Sequence, residues 1–164
     1  MSNGPRPDGA DPEARLRGLG LELPTLSEPR GRYVRARRLG STLYLAGHGP
    51  APDAAGNRIT GRVGADLTLE EGYEAARRAG LALLATLVTE LGELGRVEGV
   101  LRVFGMVNVA PGFVALPEVI DGCSDLLMAV FGPDVGRHAR SAIGVAALPY
   151  DLAVEVEAVV AIRD

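Results

Sequence analysis

The sequence contains no lysine; all 17 of its basic residues are arginine. Schiff-base catalysis by a lysine side chain is thereby excluded, and with it the usual anchor for pyridoxal phosphate. A single cysteine, Cys123, rules out a disulfide within the chain. The two histidines, His48 and His138, cannot complete a Cys/His zinc set with one thiol, so no metal is expected. No Walker loop and no GxGxxG sequence occurs, which leaves nucleotide binding without support, and no cofactor is expected. No apolar run reaches the ~18 residues that cross a bilayer, so no membrane partner is expected. The stretch Met1–Pro12 is polar and rich in Gly and Pro. It lacks the basic start and apolar centre of a secretion signal, and a cytoplasmic location is the expectation.

What remains is a chain of 164 residues, 47% hydrophobic, enough for one domain with a buried core. Net charge is -4, which opposes a general nucleic-acid binder, so nucleic acid is not the expected ligand. One basic stretch runs against that balance: Arg30, Arg32, Arg35, Arg37 and Arg38. A solvated strand face is the first reading of it, and a phosphate-binding patch is the second.

Periodicity and punctuation divide the chain into elements. Residues 1 to about 12 read as a flexible tail, and Glu13–Leu21 as a short helix closed by Gly18 and Gly20. Tyr33–Arg38 and Thr42–Ala46 read as strands joined by a tight turn at Leu39-Gly40-Ser41. Asn57–Val63 reads as a short third strand. Thr68–Leu91 is the clearest helix: Thr68 and Glu71 fit a capping box, and Leu69, Tyr73, Ala76, Leu83, Leu84, Leu87 and Leu91 keep an apolar stripe. Val97–Val109 reads as a long strand. A second helix is expected over Pro117–Phe131, with Val119, Cys123, Leu127 and Val130 buried and Gly132-Pro133 as its stop. Two final strands are expected over Arg140–Ala147 and Leu152–Ile162.

Few helices among hairpin-linked strands predict an α+β fold, a mixed β-sheet with two helices packed on one face. The strand 152–162 orients that sheet. Val154 and Val156 point to one face and Glu155 and Glu157 to the other. The valines belong under the helices. The glutamates belong on an open face, which meets solvent in a monomer and a partner in an oligomer. The expected division is an N-terminal tail and short helix over 1–30 and a single domain over 31–164.

The run Arg140-Ser141, apolar strand, Leu148-Pro149, then Val154-Glu155-Val156-Glu157 resembles the signature of the reactive intermediate deaminase (Rid/YjgF) family. Gly31-Arg32-Tyr33-Val34 is similar to that family's Gly-Pro-Tyr segment, and Leu43–Pro50 to its second strand and following turn. The wording is nearest to the YjgF-like branch labelled "putative endoribonuclease". The resemblance implies a fold like monofunctional chorismate mutase, a homotrimer whose sheets line a central barrel, and sites in clefts between subunits. It implies hydrolysis of enamines and imines such as 2-iminopropanoate to the keto acid and ammonia, with a small carboxylate as the ligand. Non-catalytic carboxylate binding and ribonuclease activity stand as alternatives. Chorismate mutase activity has fold alone behind it.

The resemblance also implies roles for individual residues. Arg140 corresponds to the arginine that grips the substrate carboxylate, a task suited to a planar, permanently charged fork. Glu155 corresponds to the glutamate that handles the attacking water. Arg140 and Glu155 are therefore the expected catalytic pair. Tyr33 and Gly47 correspond to residues at the cleft, and Ser141 is placed to offer a hydroxyl beside Arg140. The chain departs from the family pattern at Ala142, where a cysteine is usual, at Arg137-His138 in place of Phe-Pro, and at His48 in place of Gln. His48 and His138 are thus not carried over. As imidazoles that titrate near neutrality they are candidates for lining the substrate pocket, with a plain loop histidine as the other reading of each.

Overall fold

A computed structural model describes residues 11–29 and 31–163. Of the tail expected over residues 1 to about 12, residues 1–10 lie outside the described residues, as does Arg30 of the basic stretch; Asp11 and Pro12 cap and begin the first helix. In chain order the elements are α1 (Pro12–Gly18), β1 (Ala36–Leu39), β2 (Thr42–His48), α2 (Leu69–Leu91), β3 (Val97–Asn108), α3 (Leu116–Gly136), β4 (Ala139–Val145) and β5 (Val154–Ile162).

Helix α2 begins where the sequence caps it. The Thr68 hydroxyl accepts from the Glu71 amide at 3.2 Å, and the Glu71 carboxylate accepts from the Thr68 amide at 2.8 Å. Gly92, with φ of 85°, ends it. From Ala79 to Leu87 every residue of α2 is buried, not only the expected stripe. The helix is covered by the sheet on one side and by α3 on the other. Small residues make the second contact close: a Cβ at Gly122 of α3 would lie 2.9 Å from the Tyr73 carbonyl carbon and 3.1 Å from the Arg77 amide nitrogen. Cys123 is fully buried beside this contact, and burial pushes its thiol up to about 12, which leaves it a small core residue.

Helix α3 runs past its expected stop. Gly132, at φ 81°, does break the helix, but the chain resumes for one more turn to Gly136. Pro133 permits this because it follows the break, where a first-turn residue has no intrahelical N–H partner to lose. That extra turn sets the entry to β4.

The five strands form one mixed sheet in the order β1-β2-β5-β3-β4. All pairs are antiparallel except β3 with β4, which are joined through α3. Strand β5 alternates as its sequence predicts: Val154, Val156, Ala158, Val160 and Ile162 are buried under the helices, and Glu155 and Glu157 stand on the open face. The third strand expected over 57–63 does not form. Only isolated bridges occur there, Thr60 with Leu152 and Val63 with Leu67 and Val109. Gly56, Gly61 and Gly64, at φ of 88°, 109° and 92°, turn the backbone away from an extended ladder. Strand β1 likewise starts at Ala36 rather than Tyr33. No helix among the described residues is long and apolar enough to cross a membrane.

Candidate functional site

Four of the expected site residues, Tyr33, Gly47, His48 and Glu155, line one cavity of about 730 Å³. Its floor is the β2–β5 pair. Its walls come from Thr25–Pro29 ahead of β1, from the connection after β2, and from the Pro149–Tyr150 turn before β5. That turn holds Tyr150 and Asp151 at φ of 58° and 57°, a conformation non-glycine residues take up at some cost.

Glu155 is the centre of this cavity. The pairing of β2 with β5 slips between Leu45 and His48, and Gly47 occupies the irregularity. A Cβ at Gly47 would overlap Glu155 Oε1 and lie 2.8 Å from the carboxylate carbon. Glycine thus lets the carboxylate lie directly over the β2 backbone. Burial raises the Glu155 pKa first, and the charge of Glu157 adds to it. No described residue donates a hydrogen bond to this carboxylate. A half-buried carboxyl with raised proton affinity and open lone pairs is suited to exchanging a proton with a ligand or a water.

His48 lines the cavity with its ring nitrogens committed. Nδ1 meets the Ala46 carbonyl oxygen at 2.6 Å and Nε2 meets the Thr86 hydroxyl at 2.7 Å. A carbonyl only accepts, so Nδ1 carries the proton and Nε2 accepts from Thr86. Burial lowers the His48 pKa, and the Arg35 charge acts in the same direction. The residue is a neutral bracket between β2 and α2.

Arg140 is placed elsewhere. Its Nη1 donates to Asp121 Oδ1 at 2.7 Å and to Ser124 Oγ at 3.0 Å. Ser124 Oγ lies 3.0 Å from His138 Nε2, and His138 Nδ1 lies 2.7 Å from the Gly136 carbonyl oxygen. The acceptor-only carbonyl fixes the direction of the whole chain. Nδ1–H donates to Gly136, Nε2 accepts from the Ser124 hydroxyl, and the Ser124 oxygen accepts from Arg140. Burial lowers the His138 pKa, with Arg140 contributing, so the neutral form that this chain needs is favoured. One edge of the guanidinium is thereby anchored. The Nε–Nη2 edge makes no hydrogen bond or ion pair among the described residues.

Arg140 and Glu155 do not meet within one chain. Strand β3 lies between β4 and β5. Arg140 pairs with Val103, which is fully buried under the helices, whereas Glu155 pairs with Met106, three residues further along β3. An odd offset along a strand means opposite faces. Ser141, paired with Phe104, is exposed on the open face and not beside the Arg140 guanidinium. The expected residues thus fall into two sets, Tyr33, Gly47, His48 and Glu155 in the cavity, and Arg140 with His138 at the far sheet edge. Among the described residues no cluster of three or more His, Cys, Asp or Glu is gathered that could hold a metal.

Reading the sequence alone missed Asp121 and Ser124, which fall on one side of α3 by their spacing of three but carry no signal that names Arg140 as their partner. It also missed Thr86, the wall formed by residues 25–29, and the cavity arginine Arg58, whereas Arg35, the other cavity arginine, belongs to the basic stretch singled out as a solvated strand face or phosphate-binding patch.

Comparison with known proteins agrees with this architecture. The family model "YjgF/chorismate_mutase-like, putative endoribonuclease" matches residues 13–158. Protein TCP17 of Trypanosoma cruzi is 42% identical over 151 residues, covering 92% of this chain and 94% of that protein. A solved structure from Shewanella oneidensis, described as a "putative endoribonuclease", is 35% identical with a TM-score of 0.88, covering 93% of this chain and 100% of that one. The fold alone extends to Escherichia coli TdcF, solved with bound serine, at 21% identity and a TM-score of 0.55 over 87% of this chain and 94% of that one. With the family model spanning residues 13–158 and the fold shared at a TM-score of 0.88, the chain belongs to the YjgF/chorismate-mutase-like family.

Proposed function

We propose that the protein is an enamine/imine deaminase-like hydrolase of the cytoplasm, acting on a small 2-imino acid or related carboxylate. The site is assembled between adjacent copies of a homotrimer. The carrying observation is that the chain presents two incomplete and complementary halves. One is a cavity with a half-buried carboxylate, Glu155, on which no cation among the described residues acts; the other is an anchored guanidinium, Arg140, with one open edge. A neighbouring copy that sets its β4 edge against the cavity joins the two. Tyr44 and Ile143, exposed on the open sheet face, support self-association there. That TdcF, which shares the fold, was solved with an amino acid bound is in keeping with a small carboxylate ligand.

In the joined site Arg140 of one copy holds the substrate carboxylate through its Nε–Nη2 edge. Glu155 of the next takes a proton from water as the oxygen attacks the imine carbon and passes it to the nitrogen, giving a carbinolamine; it then takes the hydroxyl proton and delivers it to the departing amine. The imine carbon–nitrogen bond breaks, a carbonyl forms, and keto acid and ammonia leave. The raised proton affinity of Glu155 suits both transfers. Ala142, in place of the cysteine usual in the family, favours a second reading, a trimer that binds carboxylates without turning them over.

Freshly generated 2-imino acids test this. Wild type should release ammonia, and Arg140→Ala and Glu155→Gln should each lose the activity. Refolding the two inactive variants together should restore about a quarter of it, because half of the arginine sides and half of the glutamate sides remain intact and pair at random. Failure of the mixture to recover activity would sink the shared site. Carboxylate binding without turnover would establish the second reading.

A further inference from the structure

The cavity beside Glu155 contains two arginines that the reaction above does not use. Arg35 precedes β1, and its carbonyl accepts from the Ala46 amide at 2.8 Å, which fixes its backbone against β2. Its charge acts on His48, which locates its guanidinium on that side of the cavity. Arg58 enters from the connection after β2. Among the described residues neither has a hydrogen-bonding acceptor for its side chain or an ion-pair partner. Some other arginines among the described residues are paired, Arg62 with Asp66, Arg77 and Arg78 with Glu74, and Arg140 with Asp121. Glu28 lines the same cavity, yet no ion pair joins it to either arginine. Arg35 is also half-buried. It has given up part of its hydration and received no anion in return, a state that an incoming anion relieves.

The two arginines are not there to serve Glu155. The charge that acts on that carboxylate is Glu157, and no cation offsets it. The cavity therefore carries a proton-exchanging group in one part and positive charge in another. Its volume, about 730 Å³, is of the size that encloses ligands much larger than a three-carbon acid.

We propose that Arg35 and Arg58 form a second anion subsite, and that the substrate is an imino acid whose side chain ends in an anionic group, a carboxylate or a phosphate ester. This rests on the reading of Arg140 and Glu155 given above and adds the class of side chain. The α-carboxylate goes to Arg140, the imine carbon lies at Glu155, and the distal anion reaches Arg35 and Arg58.

Calorimetry on the intact protein with product-like 2-oxo acids tests this. The probes are pyruvate, 2-oxoglutarate with a distal carboxylate, 3-phosphohydroxypyruvate with a distal phosphate, and 5-methyl-2-oxohexanoate, which keeps the α-carboxylate and matches 2-oxoglutarate in shape with an uncharged side chain. At least one doubly anionic probe should bind about tenfold or more tightly than 5-methyl-2-oxohexanoate. Whichever of the two gains identifies the distal group. The advantage should fall in Arg58→Gln and vanish in the Arg35→Gln/Arg58→Gln double variant, while pyruvate affinity stays within about threefold of wild type. The exposed Arg58→Gln keeps the test valid should the double variant fold poorly. An equal affinity for charged and uncharged side chains, with binding still lost in Arg140→Ala, would overturn the second subsite and leave the parent reading standing. An advantage that survives the double variant would overturn it as well. Absence of binding by every 2-oxo acid would overturn both.

Discussion

Adding one methyl group at Gly47 tests Glu155 without altering its charge. A Cβ there would overlap Oε1 and lie 2.8 Å from the carboxylate carbon and 3.0 Å from Cγ. Favourable carbon–carbon contact begins near about 3.5 Å, so the carboxylate carbon must retreat by at least roughly 0.7 Å, and the overlapping Oε1 by more than that. The atoms in the way are the end of a flexible side chain, and Gly47 has an ordinary backbone conformation. The expense is an off-rotamer glutamate, about 1 kcal/mol, which lowers Tm by roughly 2–4 °C in a chain of this size. Catalysis is far less tolerant, since misplacing a reacting group by about 1 Å can slow a reaction roughly 100-fold. Gly47→Ala should therefore cut kcat for imine hydrolysis by about 10- to 100-fold and change pyruvate affinity by less than about threefold. Ammonia release, calorimetry and a thermal melt read the three quantities. Wild-type turnover in this variant would show that the placement of the Glu155 carboxylate does not matter, and the mechanism would fall. A loss of Tm beyond about 10 °C would instead assign Gly47 to packing.

Three further outcomes are expected. Asp121→Ala removes the 2.7 Å ion pair of a half-exposed carboxylate, so stability should change by no more than about 1 kcal/mol, but Arg140 loses its anchor and 2-oxo acid binding should weaken about tenfold; tighter binding would mean that Asp121 competes with the ligand. The raised pKa of Glu155 means the folded state holds that proton more firmly than the unfolded chain, so its effect on stability is most favourable below its ordinary value of 4.5 and is lost as pH rises. Glu155→Gln should accordingly melt higher than wild type at pH 7 and lose that advantage below about pH 4, and an equal gain at both pH values would refute the linkage. Gly122→Ala places a methyl against the backbone of Tyr73 and Arg77, where nothing can swing aside, and should cost about 2–3 kcal/mol by urea unfolding; a cost under 0.5 kcal/mol (roughly the noise of surface substitutions) would contradict the close helix contact.

The elements that could be read from the sequence are those whose signals are local. The capping box at Thr68 and Glu71 starts α2 where it was expected, and the alternation of Val154, Glu155, Val156 and Glu157 assigns both faces of β5 correctly. Expectation and structure part where a distant contact decides. Residues 57–63 have strand-like composition, but glycines at positive φ leave them only scattered bridges. Gly132-Pro133 has the chemistry of a stop, yet tertiary packing carries the helix on to Gly136. The site divides in the same way. Gly47 and Glu155 were named from a motif and are in contact range. The bond from Arg140 to Asp121 spans 19 residues, and the docking of residues 25–29 over the cavity depends on a three-dimensional surface that no local pattern encodes.

The position of β5 has a consequence for how the molecule is made. It is the last of the five strands in the chain, yet it lies at the centre of the sheet, bonded to β2 on one side and β3 on the other. On the ribosome the β1–β2 hairpin and the β3–β4 pair emerge first, and neither can join the other. Until β5 arrives, β2 and β3 each present an unpaired edge, and the apolar faces of both pairs stay partly uncovered. Assembly of the sheet therefore waits on one late segment of long-range pairings, which slows folding and makes the nascent chain a natural client for chaperones.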